Sequence, residues 1–209
     1  MGSFDEPTIR AALASYRSAP GPRDIIPPEN ATGLPEDWPA GGRSGLRVAA
    51  ILVPLVVRQG GEIDVLLTER AAHLRHHAGQ ISFPGGAEEA ADRGLADTAV
   101  REAREEVGLD PSLVEVVGYL KPQWTISNFA MTPVIGLVSE PVSLELQTDE
   151  VADAFFAPAS HVLDLNQHRV ERRSLGAISF DTVEASWDGR RIWGATATVL
   201  NRLAKIINS

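Results

Sequence analysis

Three glutamates carry the clearest chemical signal in this 209-residue chain: Glu102, Glu105 and Glu106, in the run LADTAVREAREEVGL at residues 95–109. On a helix turning about 100° per residue, Leu95, Ala96, Ala99, Val100, Ala103 and Val107 share one face, which should pack on a sheet. The glutamates then occupy an arc of roughly 100° beside that face, with Glu106 nearest its apolar border. As bare helix design this is unfavourable. Like charges three or four residues apart repel by roughly 0.2–0.5 kcal/mol per pair. Gly108 is a natural C-terminal cap, so Glu105 and Glu106 sit in the last turn, where the helix dipole disfavours negative charge by roughly 0.3–1 kcal/mol each. A bound divalent cation offsets both costs. Hard oxygen ligands, with no cysteine or paired histidine nearby, point to Mg²⁺ or Mn²⁺ rather than zinc. The competing interpretation is a solvated acidic face neutralised by Arg101 and Arg104.

The segment Phe83-Pro84-Gly85-Gly86 precedes this helix. Gly85 and Gly86 allow a backbone carbonyl or amide to approach a metal-bound phosphate that side chains would obstruct. Loop and acids together predict a phosphoryl site.

The elements that must hold it follow from pattern. Residues 46–58 and 63–69, separated by Gln59-Gly60-Gly61-Glu62, predict a hairpin of aliphatic and β-branched strands. Further strands are expected at 114–120, 131–138 and 178–193, the last folded back at Asp188-Gly189. Helical patterns end at Val107, cover 150–155 briefly, and run through 195–207, where Val199, Leu200, Leu203, Ile206 and Ile207 form a stripe. Residues 7–17 predict a short peripheral helix with Pro7 in its first turn. Residues 20–45 carry six prolines and five glycines and predict an extended arm. The organisation is therefore a helix and arm over 1–45 and a domain over 46–209, with an α+β or sandwich-like αβα fold.

Composition narrows the function. A formal charge of −9 disfavours a general electrostatic grip on nucleic acid or anionic lipid, while a phosphate substrate remains compatible through local arginines or a bound cation. The absence of cysteine removes disulfides, thiolate nucleophiles and iron–sulfur clusters. The longest apolar run, 48–57, contains Pro54 and is too short to cross a bilayer. The first ten residues lack the basic start and apolar stretch of a signal peptide, so the cytoplasm is the expected compartment.

Gly86 followed by Arg101-Glu102-Ala103-Arg104-Glu105-Glu106-Val107-Gly108-Leu109 resembles the box of the Nudix hydrolases. Asp92 stands where the box has its first glutamate, and eight residues rather than seven separate it from Arg101. That leaves Asp92 a structural role, as helix N-cap or arginine partner. Residues 66–86, LLTERAAHLRHHAGQISFPGG, resemble the signature of the coenzyme A pyrophosphatase branch, and Ile192-Trp193-Gly194-Ala195-Thr196 is similar to its C-terminal segment.

The resemblance implies a Mg²⁺- or Mn²⁺-dependent hydrolase acting on coenzyme A or acyl-CoA, with a homodimer left open. Glu102 and Glu106, with Glu105 in the same shell and Gly86 beside them, would hold the metal, and Arg101 would orient a glutamate. Glu105 is the first candidate for general base and Glu150 the second. Arg70 and Arg75 would bind additional phosphates through forked hydrogen bonds. The competing interpretation pairs Arg70 with Glu69 or another acid and leaves Arg75 exposed. Gly79 would serve a turn, Gly85 would approach the substrate, and Phe83 would stack on adenine or fill the core. His73, His76 and His77 lack the spacing of a helical metal motif and are expected to be solvated.

Overall fold

The computed structural model describes residues 4–21, 24–34, 46–74, 77–125 and 129–209. Helix α1 (Glu6–Ala12) starts at Asp5, whose carboxylate accepts a hydrogen bond from the Thr8 amide at 2.9 Å, with Pro7 in the first turn. It is not peripheral: Ile9 and Leu13 are fully buried in the same core as the last helix. Where described, the arm follows the domain surface, bridging Ile26 to Gln123 and Thr32 to Ser179. Its residues 35–45 lie outside the described residues.

The main sheet is built on β1 (Arg47–Val57), β2 (Ile63–Arg70), β3 (Ile81–Ser82), β4 (Gly85–Ala87), β5 (Val114–Tyr119), β6 (Gln123–Trp124), β7 (Phe129–Ser139) and β8 (Val151–Pro158). Its spine runs β3-β2-β1-β7-β5, with β4 beside β1, β6 beside β7 and β8 beside β2. β1 and β7 are parallel along their whole length and the other pairs antiparallel, so the sheet is mixed. The predicted hairpin forms, with Leu55 opposite Val65 and Val57 opposite Ile63 around Gly61 at φ +88°. Pro54 falls between the stretch of β1 paired to β4 and the stretch paired to β2, where its missing N–H breaks no ladder.

β1 is apolar on both faces because both are covered. Ala50, Leu52 and Val56 meet α2 (Leu95–Val107), while Ile51, Val53 and Leu55 face the core shared with α1 and the C-terminal helix. After α3 (Ala159–Val162), a second sheet of β9 (Arg169–Leu175), β10 (Ile178–Trp187) and β11 (Arg190–Trp193) leads into α4 (Gly194–Ile207). The fold is α+β, with helices on both faces of a mixed sheet.

One predicted element is overturned. Of residues 150–155, expected as a short helix, 151–155 belong to β8 and Glu150 to the turn before it; β8 pairs with β2 from Asp64 opposite Pro158 to Arg70 opposite Val151. Local alanine content favours helix, but a full-length antiparallel ladder with a buried strand outweighs that preference.

Candidate active site

Helix α2 seats Ala99, Ala103 and Val107 against the sheet with no exposure. It ends as expected at Gly108, in the left-handed conformation at φ +68°; the Gly108 amide bonds the Arg104 carbonyl and the Leu109 amide the Ala103 carbonyl. This seating fixes the rotation of the helix, and with it the direction of each glutamate. Glu106 is drawn to the apolar border and is only 5% exposed. Glu102 lies over β4, whereas Glu105 turns outward with its side chain 58% exposed.

The two glycines of the loop have different tasks. The Leu52 amide donates to Pro84 and the Glu88 amide to Val48, so the two-residue alternation of an antiparallel ladder assigns the backbone groups of Gly86 to β1. Those of Gly85 and Ala87 turn toward α2. The Gly85 amide donates to the Glu106 carboxylate, and the Ala87 carbonyl accepts from Arg101 Nη2 at 3.1 Å. Gly85 is thus the glycine whose backbone faces the acids. Gly86 contributes by what it lacks, since a Cβ there would lie 2.5 Å from Glu102 Oε1.

Arg101 is the hub. It grips Asp92 through Nε and Nη2 and reaches Glu102 Oε1 and Glu105 Oε2 through Nη1, both at 3.0 Å. Asp92 is therefore an arginine partner and not the N-cap, a position held by Gly94 without a side-chain bond. The buried Thr98 hydroxyl also donates to Asp92, at 2.9 Å. Sequence reasoning passed over Thr98, whose signal was a hydroxyl one helical turn before Glu102. The guanidinium of Arg101 holds the Asp92 carboxyl far below the usual carboxylate range.

Burial, reinforced by the charges of Glu102 and Glu150, pushes Glu106 up to about 8 against the opposing pull of Arg70 and the Gly85 amide. Burial likewise raises Glu102, although Arg101 opposes it. Two carboxylates are thus reluctant to ionise unless a cation arrives, and their hard oxygens suit Mg²⁺ or Mn²⁺. Among the described residues no group of three acidic or imidazole side chains is arranged to hold a metal by itself. A cation would have to draw on Glu102, Glu106 and further oxygens from backbone, solvent or substrate.

The exposed Glu150, on the turn before β8, adds a repulsive charge to both the half-buried Glu102 and the buried Glu106, and its carbonyl accepts from the Ala71 amide at 2.8 Å. Arg70 ends β2 at a register shift, its guanidinium near Glu106, and its buried Nε has no hydrogen-bond partner among the described residues. Gly79, at φ +67°, closes the following loop by donating to the Arg70 carbonyl. Arg75 and His76 lie outside the described residues, while His73 and His77 are exposed. Phe83 does not line the site: it is 4% exposed and packs in the core with Ile51 and Ile81, because its side chain alternates away from α2.

Residues 45–176, which hold every acid and glycine just described, match the NUDIX domain. The chain belongs to the Nudix family. Among curated Nudix relatives, the protein named Uncharacterized Nudix hydrolase NudL of Yersinia enterocolitica is 39% identical over 77% of this chain and 81% of its own length. Its namesake in Salmonella paratyphi B is 40% identical over 76% and 81%. Among solved structures, a Nudix hydrolase from M. smegmatis, RenU, shares 26% identity over 56% of this chain and 73% of its own, with a TM-score of 0.48. The protein is accordingly a Nudix pyrophosphatase, a hydrolase of phosphoric anhydrides, from a family that generally uses Mg²⁺ or Mn²⁺.

Proposed function

We propose that this Nudix hydrolase cleaves the diphosphate of coenzyme A and its thioesters, releasing 3′,5′-ADP and 4′-phosphopantetheine or its acyl form. The resemblance of residues 66–86 and 192–196 to the coenzyme A pyrophosphatase branch supports this substrate. The observation that carries it is Arg70, whose guanidinium lies near the buried Glu106 and makes no salt bridge among the described residues. It is available to an anionic group of the substrate.

A Mg²⁺ or Mn²⁺ held by Glu102 and Glu106, with the Gly85 backbone beside them, would neutralise the diphosphate and acidify the attacking water. Arg101 keeps Glu102 in place through the ties to Asp92 and Ala87. Arg70, with Arg75 as its proposed companion, binds phosphate oxygens. A carboxylate accepts the proton of the water as its oxygen bonds to phosphorus in line with the departing bridging oxygen. The geometry favours Glu150 over Glu105 for this task. Glu105 is tied to Arg101, whereas the Glu150 side chain has no hydrogen bond or ion pair among the described residues and its charge acts on both Glu102 and Glu106.

The test is incubation of coenzyme A with the protein and Mg²⁺, with products identified by mass. The two named products are expected, and faster than from the form lacking the 3′-phosphate. Equal rates would remove the assigned role of Arg70 and Arg75. Cleavage of ADP-ribose or a dinucleotide with coenzyme A left intact would move the substrate to another nucleoside diphosphate derivative, and binding without turnover would make the domain a silent receptor.

A further inference from the structure

Strand β9 is the outer edge of the second sheet. β10 takes one side of it through an unbroken register from Arg169 opposite Glu184 to Leu175 opposite Ile178, and no described strand lies on the other side. Every residue of β9 is exposed. The large apolar side chains exposed among the described residues are Leu165, Val170 and Leu175, all in this strand or the turn before it, and Val170 reaches 65%. An unpaired edge of this length with exposed aliphatic side chains is a template for adding a strand.

The charges say which strand fits. Edges are guarded against pairing by charged side chains, a proline or a bulge, and charges guard against a second copy only where like charges would come opposite one another. β9 has no proline and an unbroken register, and Arg169, Glu171 and Arg173, which share one face, alternate in sign. Such a pattern is complementary to its own reverse.

We propose that β9 is a homodimer interface, in which the edges of two copies pair antiparallel about a two-fold axis at Arg172 and join two three-stranded sheets into one. In this register Glu171 lies opposite Arg173 of the partner subunit and Arg173 opposite Glu171 of the partner subunit, giving two cross-strand ion pairs. Val170 is covered by Ser174 of the partner subunit, and Leu175 by the aliphatic stem of Arg169 of the partner subunit. The two Arg172 side chains flank the axis on the other face, each already neutralised by Asp181 at 2.9 Å and bonded to the Asn30 carbonyl at 2.7 Å. Glu171 and Arg173 already touch within one chain at 2.8 Å, so dimerisation exchanges one partner for another without stranding a charge.

Sedimentation of the purified full chain tests this directly. The expected species has twice the 22.4 kDa chain mass. Glu171→Arg and Arg173→Glu should each weaken association by about tenfold or more, since each turns two attractive pairs repulsive, and the double variant should restore it. The chain contains no cysteine, so Arg172→Cys supplies a unique thiol that should give a disulfide-linked dimer under mild oxidation, while Arg93→Cys on the remote α2 side should not. Thermal melts confirm that the variants are folded. A monomeric wild type, single reversals that leave association unchanged, or cross-linking at 172 no greater than at 93 would each overturn the proposal.

Discussion

Arg101 holds Asp92 in a two-pronged grip, Nε to Oδ1 at 2.9 Å and Nη2 to Oδ2 at 3.0 Å, and uses its remaining nitrogen on Glu102 and Glu105. The connector before α2 is thereby tied to the side of the helix that carries Glu102 and Glu105. Asp92 is only 3% exposed at its side chain, so the acid's end of the pair is shielded from water and salt.

Removing the acid should therefore leave the partly buried Arg101 guanidinium without its two-pronged partner, held only by Glu102, Glu105 and the Ala87 carbonyl. Asp92→Ala is expected to cost about 2 kcal/mol, or roughly 4–8 °C in Tm, and to lower kcat by loosening the Arg101 hold on Glu102. Differential scanning calorimetry with a turnover assay checks both. Asp92→Asn, which keeps the shape and part of the hydrogen bonding, should fall between.

Substitutions at the two glycines should separate activity from folding. Gly86→Ala places a methyl against the Glu102 carboxylate, the end of a side chain that can swing away, so Tm should stay within a few degrees of wild type while activity falls at least tenfold. Gly85→Ala meets Ala50 O at 2.5 Å and Ile51 Cα at 2.6 Å, which are backbone atoms of the central strand. Loss of folded protein is the expected result there. Equal stability of the two variants would contradict this division of roles.

Glu106 gives the metal-free protein a defined pH dependence. Its value of about 8 in the fold lies above the ordinary glutamate value near 4.3 in the unfolded chain. The stability it contributes is therefore fully present below about pH 4.3 and lost as pH rises through about 8. Glu106→Gln cannot ionise, so at pH 8–9 without metal it should melt higher than wild type. Mg²⁺ should raise the Tm of wild type but not of the variant, and titration at pH 7 should release protons, visible as buffer-dependent heat. A Mg²⁺ shift of wild-type size in Glu106→Gln would remove Glu106 from the metal site.

The two base candidates are distinguished by paired kinetics. Glu150→Gln should lower kcat by about 10²-fold with the Mg²⁺-induced Tm shift intact, and Glu105→Gln should lower it less. The reverse ranking would return the proton-accepting role to the helix.

Much of the site was legible because its parts are local. The 3.6-residue period places Glu102 and Glu106 beside an apolar face whatever that face packs on, and Gly108 ends the helix through its own backbone freedom. The hairpin of β1 and β2 and the turn at Asp188-Gly189 likewise depend on neighbours in the chain.

What tertiary structure decided were matters of partnership. Residues 151–155 became strand because β2 lay open along its length, a pairing between positions 81 to 94 residues apart in sequence. The register of β4 on β1 determined that Gly85 rather than Gly86 turns its backbone to the acids, and sheet parity sent Phe83 into the core. Asp92 became the arginine partner because folding the connector back over α2 placed it within reach of Arg101. Periodicity fixes which residues share a face, since it acts over a few bonds. Which groups meet across a face depends on packing that buries them together, and that energy exists only once distant segments are assembled.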